Sequence, residues 1–311
     1  AVAVAARRPW LLCLAAAVLA AGLADRARAG LDPVVAAPLD GWVVLATDPV
    51  PLDGGGTSVL FAVDGRRVEA VAHGPPSWVL QDRLAGERVY LVGRLRPPRL
   101  PLSPWQVQRR IVGRLDVSDV LADAPAAPLP RAANALRRTI DDGARNLPRR
   151  ARTLLTGVVL GDDRSQPPEL ADDFRAAGLT HLTAVSGQNV AFVLALARPL
   201  LARLPGRARL LGTLAVLGAF AVLVRFEPSV LRAGAMAALA ALAAVAGRPA
   251  ERLRLLALAV AAVLLVDPLL VGSIGFGLSV GASAGIVVLA PRIAGALPGP
   301  RPLAEALAVT V

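Results

Sequence analysis

Two hydrophobic patterns divide the chain. Between residues 37 and 122, short apolar runs at 42–46, 58–63, 68–71, 89–95 and 111–117 are rich in residues that favour strands. Gly, Pro and Asp punctuate them, at Asp53-Gly54-Gly55-Gly56, Asp64-Gly65 and Gly74-Pro75-Pro76. Asp64-Gly65 between two runs is a hairpin signal. About five short strands predict a small barrel or sandwich, with the Pro-rich stretch 97–104 as a long loop inside it. From residue 182 the pattern changes to long Ala/Leu/Val runs at 183–201, 210–224, 229–246, 255–266 and 269–290, which read as membrane spans. The run 255–266 is short and stops at Asp267-Pro268, so a half-helix is the alternative there. Residues 303–311 look like the start of a further span.

The two regions are joined by residues that favour helix. After a Pro/Ala linker at 124–130, residues 131–147 form an amphipathic pattern. Ala132, Leu136, Ile140, Ala144 and Leu147 share one face; Arg137, Arg138, Asp141, Asp142 and Arg145 take the other. Such a helix lies on a membrane surface or packs on the β region, and the pattern allows both. Helices are also expected at 149–160, ended by Gly161, and at 168–177, with Gly178 in the stop position. At the start, an apolar run at 1–6 stops at Arg7-Arg8-Pro9, and a second run follows at 10–24. That second run is about 22 Å long as a helix, short for a span. A signal peptide cleaved at Ala27-Arg28-Ala29 is the alternative.

The predicted fold class is therefore mixed: a polytopic α-helical membrane protein carrying a small external β-barrel, OB-like in type. The expected domains are N-terminal membrane segments at 1–30, the β domain at 31–123, linker and amphipathic helices at 124–181, and a multi-span domain at 182–311.

Composition supports this and narrows the chemistry. The chain is 55% hydrophobic and only 18% charged, which excludes disorder and coiled coil. Its net charge of +11 is carried by Arg alone, since no Lys occurs. Residues 37–123 balance ten Arg against ten acids, whereas 131–152 and 182–311 are strongly basic. If an anionic polymer binds, those two basic regions are the candidates. Arg198, Arg203, Arg207 and Arg209 crowd the first loop between the apolar runs, and Arg248, Arg252 and Arg254 the third. The positive-inside rule then puts the β domain outside the cytoplasm and the 202–209 loop inside. One cysteine, Cys13, permits no internal disulfide, and with only His73 and His181 no ordinary zinc site can form. No phosphate-binding G-x-x-x-x-G-K-[ST] loop occurs; no cofactor is expected, and no catalytic motif is evident.

The most unusual stretch is Gly178-Leu179-Thr180-His181-Leu182-Thr183-Ala184-Val185-Ser186-Gly187-Gln188-Asn189-Val190, where polar residues lead into an apolar helix. Polar side chains at membrane depth usually face a bundle interior or a wet cavity. Ser186 and Asn189, three apart, share a helical face. A plain helix start with Ser186 as its cap explains the same residues structurally. Arg232, four residues after Pro228, is a charge inside an apolar run that needs partners, or else it snorkels to the interface.

This stretch, preceded by Leu160-Gly161-Asp162, resembles the competence domain of the ComEC family of DNA-uptake proteins. Pro228-Ser229-Val230-Leu231-Arg232-Ala233-Gly234-Ala235-Met236 resembles that family's P-S-x-x-R-A-x-x-M helix. Val266-Asp267-Pro268, followed by Gly275-Phe276-Gly277-Leu278-Ser279-Val280-Gly281-Ala282, resembles its D-P…G-F-x-L-S-x-x-A segment. Asn189 departs from the pattern, since many relatives carry a second His there. The resemblance implies a channel for single-stranded DNA in the cytoplasmic membrane. Its DNA path or polar cavity would involve His181, Ser186, Gly187, Gln188, Asn189, Ser229, Arg232, Phe276 and Ser279. Expected partners are single-stranded DNA, membrane lipid, other competence proteins and further copies of the chain. Two rival readings stay open: a small-solute transporter with a polar midplane site, and an intramembrane serine hydrolase using Ser186.

Overall fold

The computed structural model describes residues 22, 23, 25, 27, 28, 30–52, 54–63, 66–162, 164–178, 187–247 and 251–296. The chain divides into two compact units. The first comprises Asp25–Asn189 and Ala219–Glu227; the second comprises Ala1–Ala24, Val190–Gly218 and Pro228–Val311.

The first unit is built on strands β1 (Ala37–Leu45), β2 (Val50–Leu52), β3 (Gly56–Val63), β4 (Arg66–His73), β5 (Arg88–Arg96) and β6 (Ile111–Ala124). Four of the five expected runs fall inside β3, β4, β5 and β6, and the first, 42–46, overruns the end of β1 by one residue. The small OB-like barrel expected for them is corrected. The strands form one six-stranded sheet in the order β1-β5-β6-β4-β3-β2, with β2, a strand the apolar pattern does not mark, at its edge. β1 also meets β3, but over only two residue pairs, Val44–Ala62 and Leu45–Phe61. All neighbours are antiparallel except β4 and β6, which run parallel. That parallel pair requires a crossover, which contains the short helices α1 (Pro75–Gln81) and α2 (Pro104–Arg109) as well as β5.

Alternation along the strands sends Val43 and Leu45, Val59 and Phe61, Val89 and Leu91 into one core, closed by Leu80 of α1 and Leu115 of β6. Thr57 is buried beside α1, where its hydroxyl lies 2.8 Å from that of Ser77 and accepts from Gln81 Nε2 at 3.0 Å. α1 is thereby held on the sheet by hydrogen bonds as well as by apolar packing.

Among the described residues, this unit also holds α3 (Pro128–Gly143), α4 (Arg149–Leu160) and α5 (Pro168–Ala176). Gly161 and Gly178 adopt φ of 70° and 69°, the left-handed conformation that stops α4 and α5 where the sequence places those stops. α3 differs from expectation in its orientation. It buries Ala133, Asn134 and Arg137, while Leu136 on the apolar face is exposed.

The second unit is helical. Its described elements are α6 (Gly187–Leu201), α7 (Gly206–Leu223), α8 (Pro228–Val245), α9 (Arg252–Val266), a 3-10 turn (Pro268–Gly272) and α10 (Ile274–Ala296), with the ends of α6 and α7 belonging to the first unit. The expectation of five membrane runs is also corrected. Among the described residues, three helices are long and apolar enough to cross a membrane: α7, α8 and α10. α6 and α9 have 15 residues each. Over their described residues, at about 1.5 Å per residue, they reach roughly 22 Å, short of a hydrocarbon core of about 30 Å. Val263, Leu270 and Phe276 form the buried centre of this unit, against Leu231, Ala235, Val260, Leu264 and Val280. Asp267 caps the 3-10 turn by accepting from Leu269 N, and Ser273 Oγ accepts from Phe276 N to start α10.

Phe61 is fully buried at the centre of the sheet core. Phe61→Ala should therefore destabilise the first unit by about 3–5 kcal/mol. Three of the four tryptophans, Trp42, Trp78 and Trp105, lie in this unit, so intrinsic fluorescence during denaturant unfolding of the detergent-solubilised chain is the measurement.

Candidate functional site

Two polar clusters stand out, one in each unit. The first gathers around Arg137 of α3. Its guanidinium donates through Nη1 to the carbonyls of Leu160 at 2.9 Å and Leu223 at 2.8 Å. Through Nη2 it reaches Asp48 at 3.1 Å and Asp162 at 3.3 Å. Arg225, in the turn after α7, grips Asp48 with both arms of its fork, at 3.2 and 2.8 Å. The backbone N–H of Ala85 donates to the same carboxylate at 2.8 Å. Arg164 makes the matching two-armed contact with Asp162, at 2.7 and 2.6 Å, and also donates to the carbonyl of Pro49. Asn134, one turn before Arg137 on α3, accepts from Arg225 and donates to Ala85 O and Glu87.

Local geometry explains how these groups meet. The stop of α4 turns the chain at Gly161, where Asp162 N donates to Thr156 O and Gly161 N to Gly157 O. That turn frees the Leu160 carbonyl and aims Asp162 at α3. Arg225 has φ of 60° and Phe226 φ of 57°. A side-chain-bearing residue in this conformation costs about 1–2 kcal/mol. The two-armed contact with Asp48 offsets that cost.

The electrostatics follow from burial and pairing. Burial alone would raise the Asp48 pKa. The charges of Arg225 and Arg137, the Arg225 hydrogen bond and the charge of Arg164 outweigh it and hold the carboxyl below its ordinary value. Asp162 is likewise held down: burial opposes, but the hydrogen bond and charge of Arg164 and the charge of Arg137 prevail. Burial lowers the Arg137 pKa, with Asp48 and Asp162 acting in the opposite sense.

The second cluster surrounds Arg232 of α8, which is 7% exposed. Nε and Nη2 donate to Ser279 Oγ at 3.0 and 2.5 Å, and Nη1 donates to Ser283 Oγ at 2.6 Å. Ser283 in turn donates to the Ser279 carbonyl. Ser279 and Ser283 are four apart on α10 and so present their hydroxyls on one face. Nη1 also contacts Met236 Sδ at 3.9 Å, one turn further along α8.

The residues singled out from the sequence fall as follows. Arg232 and Ser279 are brought together. Phe276 packs in the apolar centre of the second unit. Ser229 lies at the start of α8, and Gly187 and Gln188 open α6. Asn189 donates to the Val158 carbonyl of α4 within the first unit. His181 and Ser186 lie outside the described residues. Ser283, Asp48, Asp162 and Arg164 were not anticipated as a site, and Arg137 and Arg225, which lie in the basic regions expected to meet an anionic polymer, are engaged with carboxylates instead. For Ser283, the four-residue step from Ser279 was the available signal. Among the described residues, no group of three or more His, Cys, Asp or Glu is placed to hold a metal ion.

These features define a chain with a β-sheet unit and a second unit containing apolar helices of membrane-spanning length. Residues 158–311 match the family model described as Competence protein, so a competence-protein domain is present over that stretch. No curated protein and no solved structure matches the chain.

The Arg137 cluster predicts acid sensitivity. Both aspartates have lowered pKa values when folded. Their contribution is fully present above the unfolded carboxyl value of about 3.9 and is lost as pH falls through the lower folded value. Thermal stability of the solubilised chain should thus fall below about pH 4, and Asp48→Asn should remove part of that dependence. At neutral pH, Asp48→Ala should cost about 3–5 kcal/mol, because it leaves Arg137 and Arg225 without their shared partner.

Proposed function

We propose that the chain is a membrane component of DNA uptake that passes single-stranded DNA across the cytoplasmic membrane. The observation that carries this reading is the competence-family match over residues 158–311, the stretch containing α7, α8 and α10. The net positive charge suits a polyanionic cargo. Lipid surrounds the spans, and other competence proteins and further copies of the chain are the expected partners. Its work is transport, with no catalytic step of its own.

In this reading the sheet lies outside the cytoplasm and the 202–209 loop inside, following the loop arginines. The ion pair between Arg225 and Asp48 supports it, because it ties the turn after α7 to the sheet and so requires both on one side of the membrane.

The test is uptake by cells. Cells lacking this protein should retain surface binding of labelled double-stranded DNA but lose its passage into a nuclease-protected, single-stranded internal form. Re-expression should restore it. Unchanged internalisation without the protein, or equal impairment of labelled small-solute uptake, would reject the DNA reading.

Topology is tested separately. In a Cys13→Ala background, Asp82→Cys in the sheet unit should react with an impermeant thiol reagent on intact cells, whereas Arg207→Cys should react only after permeabilisation. Both side chains are exposed. Equal labelling before permeabilisation contradicts the proposed orientation.

A further inference from the structure

Within its described residues, the protein buries arginine in two different ways. Arg137 is 4% exposed and is paired with two carboxylates, Asp48 and Asp162. Arg232 is nearly as buried, yet its described hydrogen-bond partners are Ser279, Ser283 and Met236, all neutral. Serine oxygens satisfy its N–H groups but do not neutralise its charge. A guanidinium stays protonated, so that charge persists in an apolar surrounding.

The direction of the side chain matters. Arg232 lies four residues after Pro228, close to the start of its span. An arginine escaping to the interface would turn toward that start, the direction in which helical side chains naturally lean. Arg232 instead is buried, with its guanidinium held by α8 and α10. Its Nη1 reaches Met236, one turn further into α8, and Ser283, two and a half turns, or about nine residues, into α10. The charge is therefore held between α8 and α10.

We propose that Arg232, Ser279 and Ser283 form a binding site for a single phosphodiester anion within the helical unit. The Nε–Nη2 edge of a guanidinium is the fork that receives two oxygens of a phosphate group. Here one atom, Ser279 Oγ, holds both donors of that edge. A phosphate takes them over with two oxygens, and the freed Ser279 hydroxyl rotates to donate to the anion. Ser283 keeps Nη1 in place. The incoming charge supplies what the serines cannot. A phosphodiester fits the fork, as a carboxylate would and chloride would not, because its two unesterified oxygens share one negative charge, equal and opposite to that of Arg232. The site rests on the DNA-transport reading for the choice and the source of the phosphodiester, which is the strand in passage; membrane lipid carries the same group.

The experiment uses the whole chain, purified in dodecyl maltoside micelles, which contain no phosphate. Thymidylyl-thymidine, with one phosphodiester, is titrated and followed by phosphorus NMR line broadening; phosphatidylglycerol added to the micelles is the second probe. Arg232→Met should weaken binding by about tenfold or more, and Arg232→Lys, which keeps the charge but loses the fork, by roughly threefold to tenfold. Ser279→Ala tests the site without removing a charge and should weaken binding several-fold. Circular dichroism and size-exclusion profiles identify any variant that fails to fold, and Ser279→Ala then decides the case. Arg232-dependent binding of either probe supports the site; binding of phosphatidylglycerol alone makes lipid the source. Equal binding by wild type, Arg232→Met and Ser279→Ala, or no binding of either probe, overturns it. If DNA uptake proves independent of the protein while Arg232-dependent binding persists, the functional reading fails and the anion site stands.

Discussion

The first unit depends on a buried guanidinium, that of Arg137, and on the two carboxylates that hold it. Removing three or more charged groups from water costs several kcal/mol per ion, so the cluster is not an efficient source of stability. What it supplies is discrimination between arrangements. Arg137 must meet Asp48, Asp162 and two backbone carbonyls at once. Those groups come from the segment after β1, the stop of α4 and the end of α7. Any other docking of these segments leaves a charge buried without its partner, which is a far larger penalty than a misplaced apolar contact. Arg225 tightens this further. Its strained backbone is tolerable only in the position where its fork closes on Asp48.

This cluster also explains the orientation of α3. Its apolar residues predict burial of the face bearing Ala132, Leu136 and Ile140. The structure instead buries the side carrying Asn134 and Arg137. Hydrophobic period alone assumes that burial is decided by transfer of apolar surface, at about 25 cal/mol per Å². Where a charged group finds two opposite charges and two carbonyls, the balance changes, and the polar face turns inward. Leu129 and Leu136 are left exposed as a result.

Much of the fold was legible where the signal is local. Period-two runs located five strands, and Gly161 and Gly178 marked helix ends because their left-handed backbone conformation favours glycine. α1 was hidden because Pro75-Pro76 signals a turn and also suits the first helical positions. α2 was readable in principle: Ser103 and Gln106 form a capping box inside what looked like a loop. Strand order was not legible, since alternation fixes which face a residue takes and not which strand lies beside it. The same divide separates the two polar clusters. Arg232 announced itself as a charge in an apolar run, and Ser279 lay in a stretch resembling a known family segment. Asp48 and Arg225 are 177 residues apart, and neither has a neighbour in sequence that hints at the other.

The position of the competence match sharpens what the Arg137 cluster does. The match begins at residue 158, inside α4 and just before Leu160 and Asp162. Asp162, Arg164, Leu223 and Arg225 therefore belong to the matched stretch, while Asp48, Asn134 and Arg137 precede it. Separating the chain at residue 158 would leave two arginines of the cluster facing one aspartate on the matched side. On the other side Asp48 and Arg137 would keep each other but lose their remaining ionic contacts. A boundary drawn from sequence similarity thus passes through the most densely charged buried region of the described chain. Physically, the matched stretch is not a complete unit: its first turn and the turn after α7 fold against the sheet that precedes it.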